Sequence, residues 1–127
     1  MLDHITFGVA DFARCSDFYD KALAPLGIKR VYEVSAEDTG SKPFIGYGDQ
    51  RAFFWIGPGD ASTGQLHFAF TAKTHAEVDA FHAAGLAAGG TDNGAPGLRP
   101  DYHPDYYGAF VLDPEGRNIE AVCHTSG

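Results

Sequence analysis

The chain has 127 residues and a mass of 13.6 kDa, enough for one domain that buries about 65 to 70% of its unfolded surface without disulfide staples. Seventeen Asp and Glu against nine Lys and Arg give a formal charge of -8, and no basic run is present, which argues against nucleic acid and anionic membranes as partners. No apolar stretch approaches the ~18 to 20 residues of a membrane span, so a compact soluble protein is expected, rich in rings with ten Phe, six Tyr, one Trp and six His.

The segment Met1-Leu2-Asp3-His4 enters an alternating stretch with no basic or apolar leader, which points to the cytoplasm. Cys15 and Cys123 form no C-x-x-C pair and are expected to be free buried thiols in a reducing compartment. Residues 2 to 9 alternate at period 2 and predict a strand. Asp11 is a candidate N-cap for a helix whose stripe is Phe12, Cys15, Phe18, Tyr19, Ala22 and Leu23, closed by Gly27. Three strands are predicted next, over 28 to 35, 43 to 48 and 51 to 57, the last two joined by a turn at Gly48-Asp49-Gln50.

After a Gly-rich connector from Gly57 to Gly64, residues 65 to 72 alternate again. Thr74 and Glu77 form a capping box ahead of a second helix, with stripe Val78, Phe81, His82 and Leu86 and Gly90 at its end. A short strand is predicted over 91 to 96, then a lid loop over 97 to 107. A hairpin follows, pairing 107 to 113 with 117 to 123 around Asp113-Pro114-Glu115-Gly116.

Sliding the chain on itself by 63 residues aligns His4 with His67, Phe7 with Phe70, Phe18 with Phe81, Leu23 with Leu86 and Gly27 with Gly90. Such self-similarity is sought before a fold is assigned. The expected class is α+β: two paired βαβββ modules, about 1 to 59 and about 63 to 127, in one domain. Their mixed sheets would curl around a site, with the helices on the outer face.

Strand parity places ionisable residues. Ile5, Phe7 and Val9 share one face, as do Phe68 and Phe70, and Ile119, Ala121 and Cys123; His4, His67 and Glu120 fall on the opposite faces. Each alone would be an ordinary polar residue on a solvated sheet. Together, and in register, two imidazoles and a carboxylate match a 2-His-1-carboxylate site for a divalent first-row metal, with Fe, Mn, Zn and Ni all open. His103 and Tyr106 are candidate acid/base residues in the loop, with Tyr102 and Tyr107 beside them as candidate substrate contacts. Arg99 would meet an anionic group or solvent. Phe54 and Trp55 would line the cavity or pack the core. His75, His82 and His124 are read as structural or solvated.

Asp3-His4 with Val9 and Asp11, Leu66-His67-Phe68, and above all the run from Phe110 through Asp113-Pro114-Glu115-Gly116-Arg117 to Glu120 resemble the vicinal oxygen chelate superfamily over essentially the whole chain. That superfamily gathers glyoxalase I, bleomycin resistance proteins, fosfomycin resistance transferases, methylmalonyl-CoA epimerase and extradiol dioxygenases. The resemblance implies a metal held by His4, His67 and Glu120, a small substrate chelating through vicinal oxygens, and a homodimer whose site is open to sharing between chains. Glyoxalase-like and epimerase-like members use a fourth ligand, a carboxylate on the last strand of the first half. Matching the hairpins puts Phe54 there, and Ala52-Phe53-Phe54-Trp55-Ile56 holds no carboxylate. The resemblance therefore favours dioxygenase-like or Lewis-acid lyase/transferase chemistry. Glyoxalase I-like activity and a non-catalytic bleomycin-resistance type of binding protein are the alternatives.

Overall fold

A computed structural model of the chain describes residues 1–39, 42–60 and 64–127, so the expected connector over 57 to 64 lies partly outside the described residues. The first module runs β1 (Ile5–Val9), α1 (Phe12–Ala22), a 3-10 turn (Ala24–Leu26), β2 (Lys29–Val34), α2 (Ala36–Thr39), β3 (Phe44–Gly48) and β4 (Ala52–Pro58). The second runs β5 (His67–Thr71), α3 (His75–Ala87), β6 (Thr91–Leu98), β7 (Tyr107–Leu112) and β8 (Asn118–Cys123). Each module makes one open four-stranded sheet, and the orders correspond: β1-β4-β3-β2 and β5-β8-β7-β6. In both, the first pair is parallel and the others antiparallel. The repeat seen in the sequence is thus a repeat of topology, and the α+β reading of two βαβββ modules holds. No described helix is long and apolar enough to cross a membrane.

Caps and turns follow the local chemistry. The Asp11 side chain accepts from Arg14 N at 3.1 Å, and Thr74 Oγ1 accepts from Glu77 N at 3.1 Å. Glu77 reaches back to Lys73 N at 3.2 Å rather than to its own cap residue. The four-residue α2 was not expected. Nor was the length of β6: Leu98 pairs with Tyr107, and Arg99 N–H donates to the Tyr106 carbonyl at 2.7 Å. The expected lid is therefore a hairpin connection, from Arg99 to Tyr106. Gly94, Pro96 and Gly97 read as loop punctuation, yet an edge strand tolerates them through the register shifts seen between Asp92 and Gly97.

The end of α3 is also displaced by one residue. Gly89 takes the positive φ of 100°, whereas Gly90 is the point where the chain passes the sheet. A Cβ on Gly90 would stand 2.5 Å from Val111 Cγ1 and 2.7 Å from Phe18 Cε1. Gly90→Ala is expected to cost about 1 to 3 kcal/mol of stability by overpacking, read as a lower urea midpoint at unchanged slope.

One aromatic core runs through both modules. Phe54, 1% exposed, meets Phe7 at 5.3 Å, Tyr19 at 5.1 Å, Phe68 at 5.6 Å and Phe70 at 5.0 Å between ring centres, while Phe7 stacks on Phe68 at 5.1 Å. A second tie is polar. The β7–β8 turn folds around Asp113, whose Oδ1 accepts from Glu115 N and Arg117 N at 2.9 Å and whose Oδ2 accepts from Tyr19 OH at 2.6 Å. Arg117 donates to Asp113, to Glu115 and to the Gly8 carbonyl, each at 3.0 Å. Glu115 then accepts from the N–H groups of Ala10 and Asp11 at the β1–α1 junction. The turn of module two is thereby bolted to the start of module one.

Candidate functional site

Register brings residues from four strands into a row on the open face of the second sheet: Gly94, Phe110, Glu120 and Ala69 are successive cross-strand partners. His67 lies two residues before Ala69 and so shares this face. Glu120 is 2% exposed. His67 Nδ1 stands 3.0 Å from the Asn118 carbonyl, which can only accept, so Nδ1 carries the ring proton. Nε2 then faces Glu120 Oε1 at 3.0 Å. Two lone pairs at that separation repel unless a proton or a cation lies with them. This is the tautomer and orientation of a metal-ligating histidine.

The other oxygen of Glu120 accepts from Tyr106 OH. Burial, and then Glu120 itself, push this phenol above its ordinary pKa, which keeps it a donor. Gly108 leaves room for the pair, since a Cβ there would stand 3.0 Å from Glu120 Oε2 and 3.2 Å from the Tyr106 ring. Phe110 lies against the His67 ring at 6.1 Å, and the Arg99 guanidinium sits over Phe110 at 5.5 Å. Arg99 donates to the Gly97 and Ala95 carbonyls and has no carboxylate partner among the described residues.

The matching row of the first sheet is Tyr32, Gly46, Trp55 and Thr6. His4 stands at the entrance to β1. Its Nδ1 donates to Asp3 Oδ1 at 2.7 Å, Arg51 holds the other oxygen of Asp3, and Nε2 has no hydrogen-bond partner among the described residues. The hydrogen bond from His4, followed by that from Arg51, holds the Asp3 carboxyl below its ordinary pKa. His4 and His67 both line a groove of about 470 Å³ between the edges of the sheets. His4 nevertheless makes no contact with Glu120, and among the described residues of one chain no three His, Cys, Asp or Glu side chains are grouped to hold a metal.

The description Glyoxalase/Bleomycin resistance protein/Dioxygenase superfamily belongs to a family model that matches residues 1–121. The chain belongs to this superfamily. It is similar to a glyoxalase/bleomycin resistance protein from Albidiferax ferrireducens T118, at 32% identity and TM-score 0.79 over 98% of this chain and 99% of that one. A glyoxalase-related enzyme from Fulvimarina pelagi shares the fold at 21% identity and TM-score 0.71, over 97% of this chain and 87% of that one. So does the fosfomycin resistance protein FosX from Listeria monocytogenes, complexed with Mn(II) and sulfate, at 18% identity and TM-score 0.69, over 98% and 93%. No curated protein matches the chain.

The superfamily fold brings together some of the expected site residues and separates others. His67, Glu120, Tyr106 and Arg99 share one face. Tyr102, 64% exposed, is edge-on to Tyr106 at 4.8 Å, one ring further out. His103 is edge-on to Tyr106 at 5.4 Å, and its Nε2 lies 2.6 Å from His124 Nδ1, away from Glu120. Tyr107 is not brought to this face. Paired with the buried Cys123, it points to the helix side, where it stacks on His75 at 3.8 Å and donates to Asp79 at 2.6 Å.

The expected match of Phe54 to Glu120 is corrected by one residue. Thr6 pairs with Trp55 as Ala69 pairs with Glu120, so Trp55 is the counterpart of Glu120, and Phe54, the counterpart of Ile119, is core. The miscount arose because the bulge opposite Tyr47 and Gly48 adds one residue, Phe53, to β4 ahead of Phe54. β4 still offers no carboxylate. Cys15 and Cys123 are free and buried. Burial, with Glu115 nearby, pushes the Cys15 thiol up to about 12, which leaves it unreactive. Asp3 and Arg51 were missed in the sequence; Asp3 is signalled by its place beside His4, but Arg51 lies 48 residues from its partner and carries no pattern.

Proposed function

We propose that this chain is a divalent-metal-dependent enzyme that holds its metal on His67 and Glu120 with His4 of a second copy, and binds a small metabolite through vicinal oxygens. The observation that carries the reading is the His67–Glu120 contact, an imidazole whose proton is committed to Asn118 and whose other nitrogen faces a buried carboxylate at 3.0 Å. The Asp3 bond presents His4 in the same tautomer, as a carboxylate accepting from a ligating histidine does. His4 is apart from Glu120 within one chain, which favours completion by a homodimer. A metal on this donor set, of which Fe, Mn, Zn and Ni remain candidates, would supply Lewis-acid stabilisation of oxyanion charge on a chelated substrate.

The chain's own residues define the rest of the site. Tyr106 fixes the second oxygen of Glu120, Phe110 backs the His67 ring, and Arg99 offers free N–H donors to an anionic group of the substrate. His103 meets the site through the Tyr106 ring, against which it packs edge-on. Dioxygenase-like or lyase/transferase chemistry is favoured over glyoxalase I-like chemistry because Trp55 stands where a fourth carboxylate would be. The His67 imidazole facing the buried Glu120 carboxylate at 3.0 Å also argues against a metal-free ligand-sequestering protein. The reading includes a cytoplasmic enzyme without nucleic-acid partners. Elemental analysis of the purified protein tests it: one divalent ion per chain is expected, and protein that stays below a tenth of an ion per chain after incubation with each candidate metal would overturn it. Tyr106→Phe is expected to lower metal affinity about ten- to a hundredfold with the circular dichroism spectrum unchanged, as loss of an outer-shell partner does.

A further inference from the structure

The two open faces are built on one plan with different contents. Where the second sheet carries Gly94, Phe110, Glu120 and Ala69 across its strands, the first carries Tyr32, Gly46, Trp55 and Thr6. The carboxylate position is an indole, and the ring position beside it is bare. A Cβ on Gly46 would stand 2.9 Å from two carbons of the Trp55 ring, so the indole lies down over the backbone of β3 with its other face turned outward. Tyr32, 57% exposed, rises beside it, ring centres 5.8 Å apart and planes 54° apart. These two rings form the walls of an open groove of about 540 Å³ that also holds Thr6, Arg51 and His4.

We infer that this groove is a ring-stacking subsite and that the ligand of this protein carries a flat aromatic ring seated against Trp55 and Tyr32. An exposed phenol beside a half-buried indole is costly to leave in water, and both present π-faces that an aromatic ring satisfies better than an aliphatic group of equal size. The groove's volume lies in the range of small-molecule sites. His4 on its rim connects the ring seat to the metal reading: that reading sets which edge of the ring carries the chelating oxygens, while the stacking itself does not depend on it.

Trp55 is the single tryptophan, so the indole emission of the whole chain reports on this groove. The test titrates metal-free protein with phenol and with cyclohexanol, matched in size and in their one hydroxyl, exciting where phenol does not absorb. Saturable quenching by phenol is expected, at about five- to tenfold tighter binding than cyclohexanol. Tyr32→Leu, which keeps the reporter and alters an exposed side chain, is expected to weaken phenol about threefold or more while leaving cyclohexanol unchanged. Equal binding of the two probes, absence of saturable quenching, or emission that changes only with protein concentration because a second copy fills the groove would each overturn the inference. Neither probe needs a metal, so failure here is separate from failure to bind a divalent ion.

Discussion

Arg117→Ala is expected to lower the unfolding free energy by about 3 to 5 kcal/mol, the range for removing one partner of a buried ion pair. Arg117 is 6% exposed and Asp113 3%. Truncation strands the Asp113 carboxylate in the interior, frees the Gly8 carbonyl and removes the cation that sits 4.9 Å over the Phe7 ring. The loss is read by urea denaturation with both far-ultraviolet dichroism and tryptophan emission. Because the turn bolts one module to the other, the two probes are expected to separate in the variant while they coincide in the parent. A loss below 1 kcal/mol would show that the Arg117 contacts do not hold the modules together.

The same latch sets an acid limit. Burial would raise the Glu115 pKa, but the N–H groups of Asp11 and Ala10, with Arg117, outweigh it and hold the carboxyl at about 2 against an ordinary 4.5. A depressed folded-state pKa contributes stability above the unfolded value that is lost as pH falls toward the folded one. Up to about 3 kcal/mol should therefore disappear between pH 4.5 and pH 2. Glu115→Gln is expected to flatten that part of the stability profile.

The second large effect is on metal. Glu120→Ala is expected to weaken binding of the divalent ion roughly a thousandfold or more, well beyond the ten- to hundredfold of an outer-shell change such as Tyr106→Phe. Isothermal titration of the apo-protein measures both. On this proposal Glu120 would act as a carboxylate ligand whose nearly complete burial leaves little water to compete with the metal. Comparable affinities for the parent and Glu120→Ala would place the metal elsewhere.

The modules, their two main helices and the faces of His4, His67 and Glu120 were legible in the sequence because period-2 alternation and the 63-residue repeat are local signals. What was not legible depends on register and on bulges. One such bulge moved the counterpart of Glu120 from Phe54 to Trp55, and the shifts in β6 turned an expected lid into a hairpin. Tyr107 was grouped with Tyr102 and Tyr106 by proximity in sequence, yet its parity sends it to the helix side. The run from Phe110 to Glu120, the most recognisable stretch, divides between two roles: Asp113, Glu115 and Arg117 hold the modules together, while Phe110 and Glu120 at its ends lie in the candidate site.

Mixed dimers test the shared His/His/Glu site most directly. His4→Ala and Glu120→Ala chains, carrying different affinity tags, are combined by unfolding and refolding, and the mixed species is isolated through both tags. Each parent dimer is expected to bind no divalent ion tightly, whereas the mixed dimer regains one intact site, His4 from one chain meeting His67 and Glu120 of the other. One ion per mixed dimer is the expected stoichiometry; a mixed dimer as empty as its parents would contradict a site shared between chains.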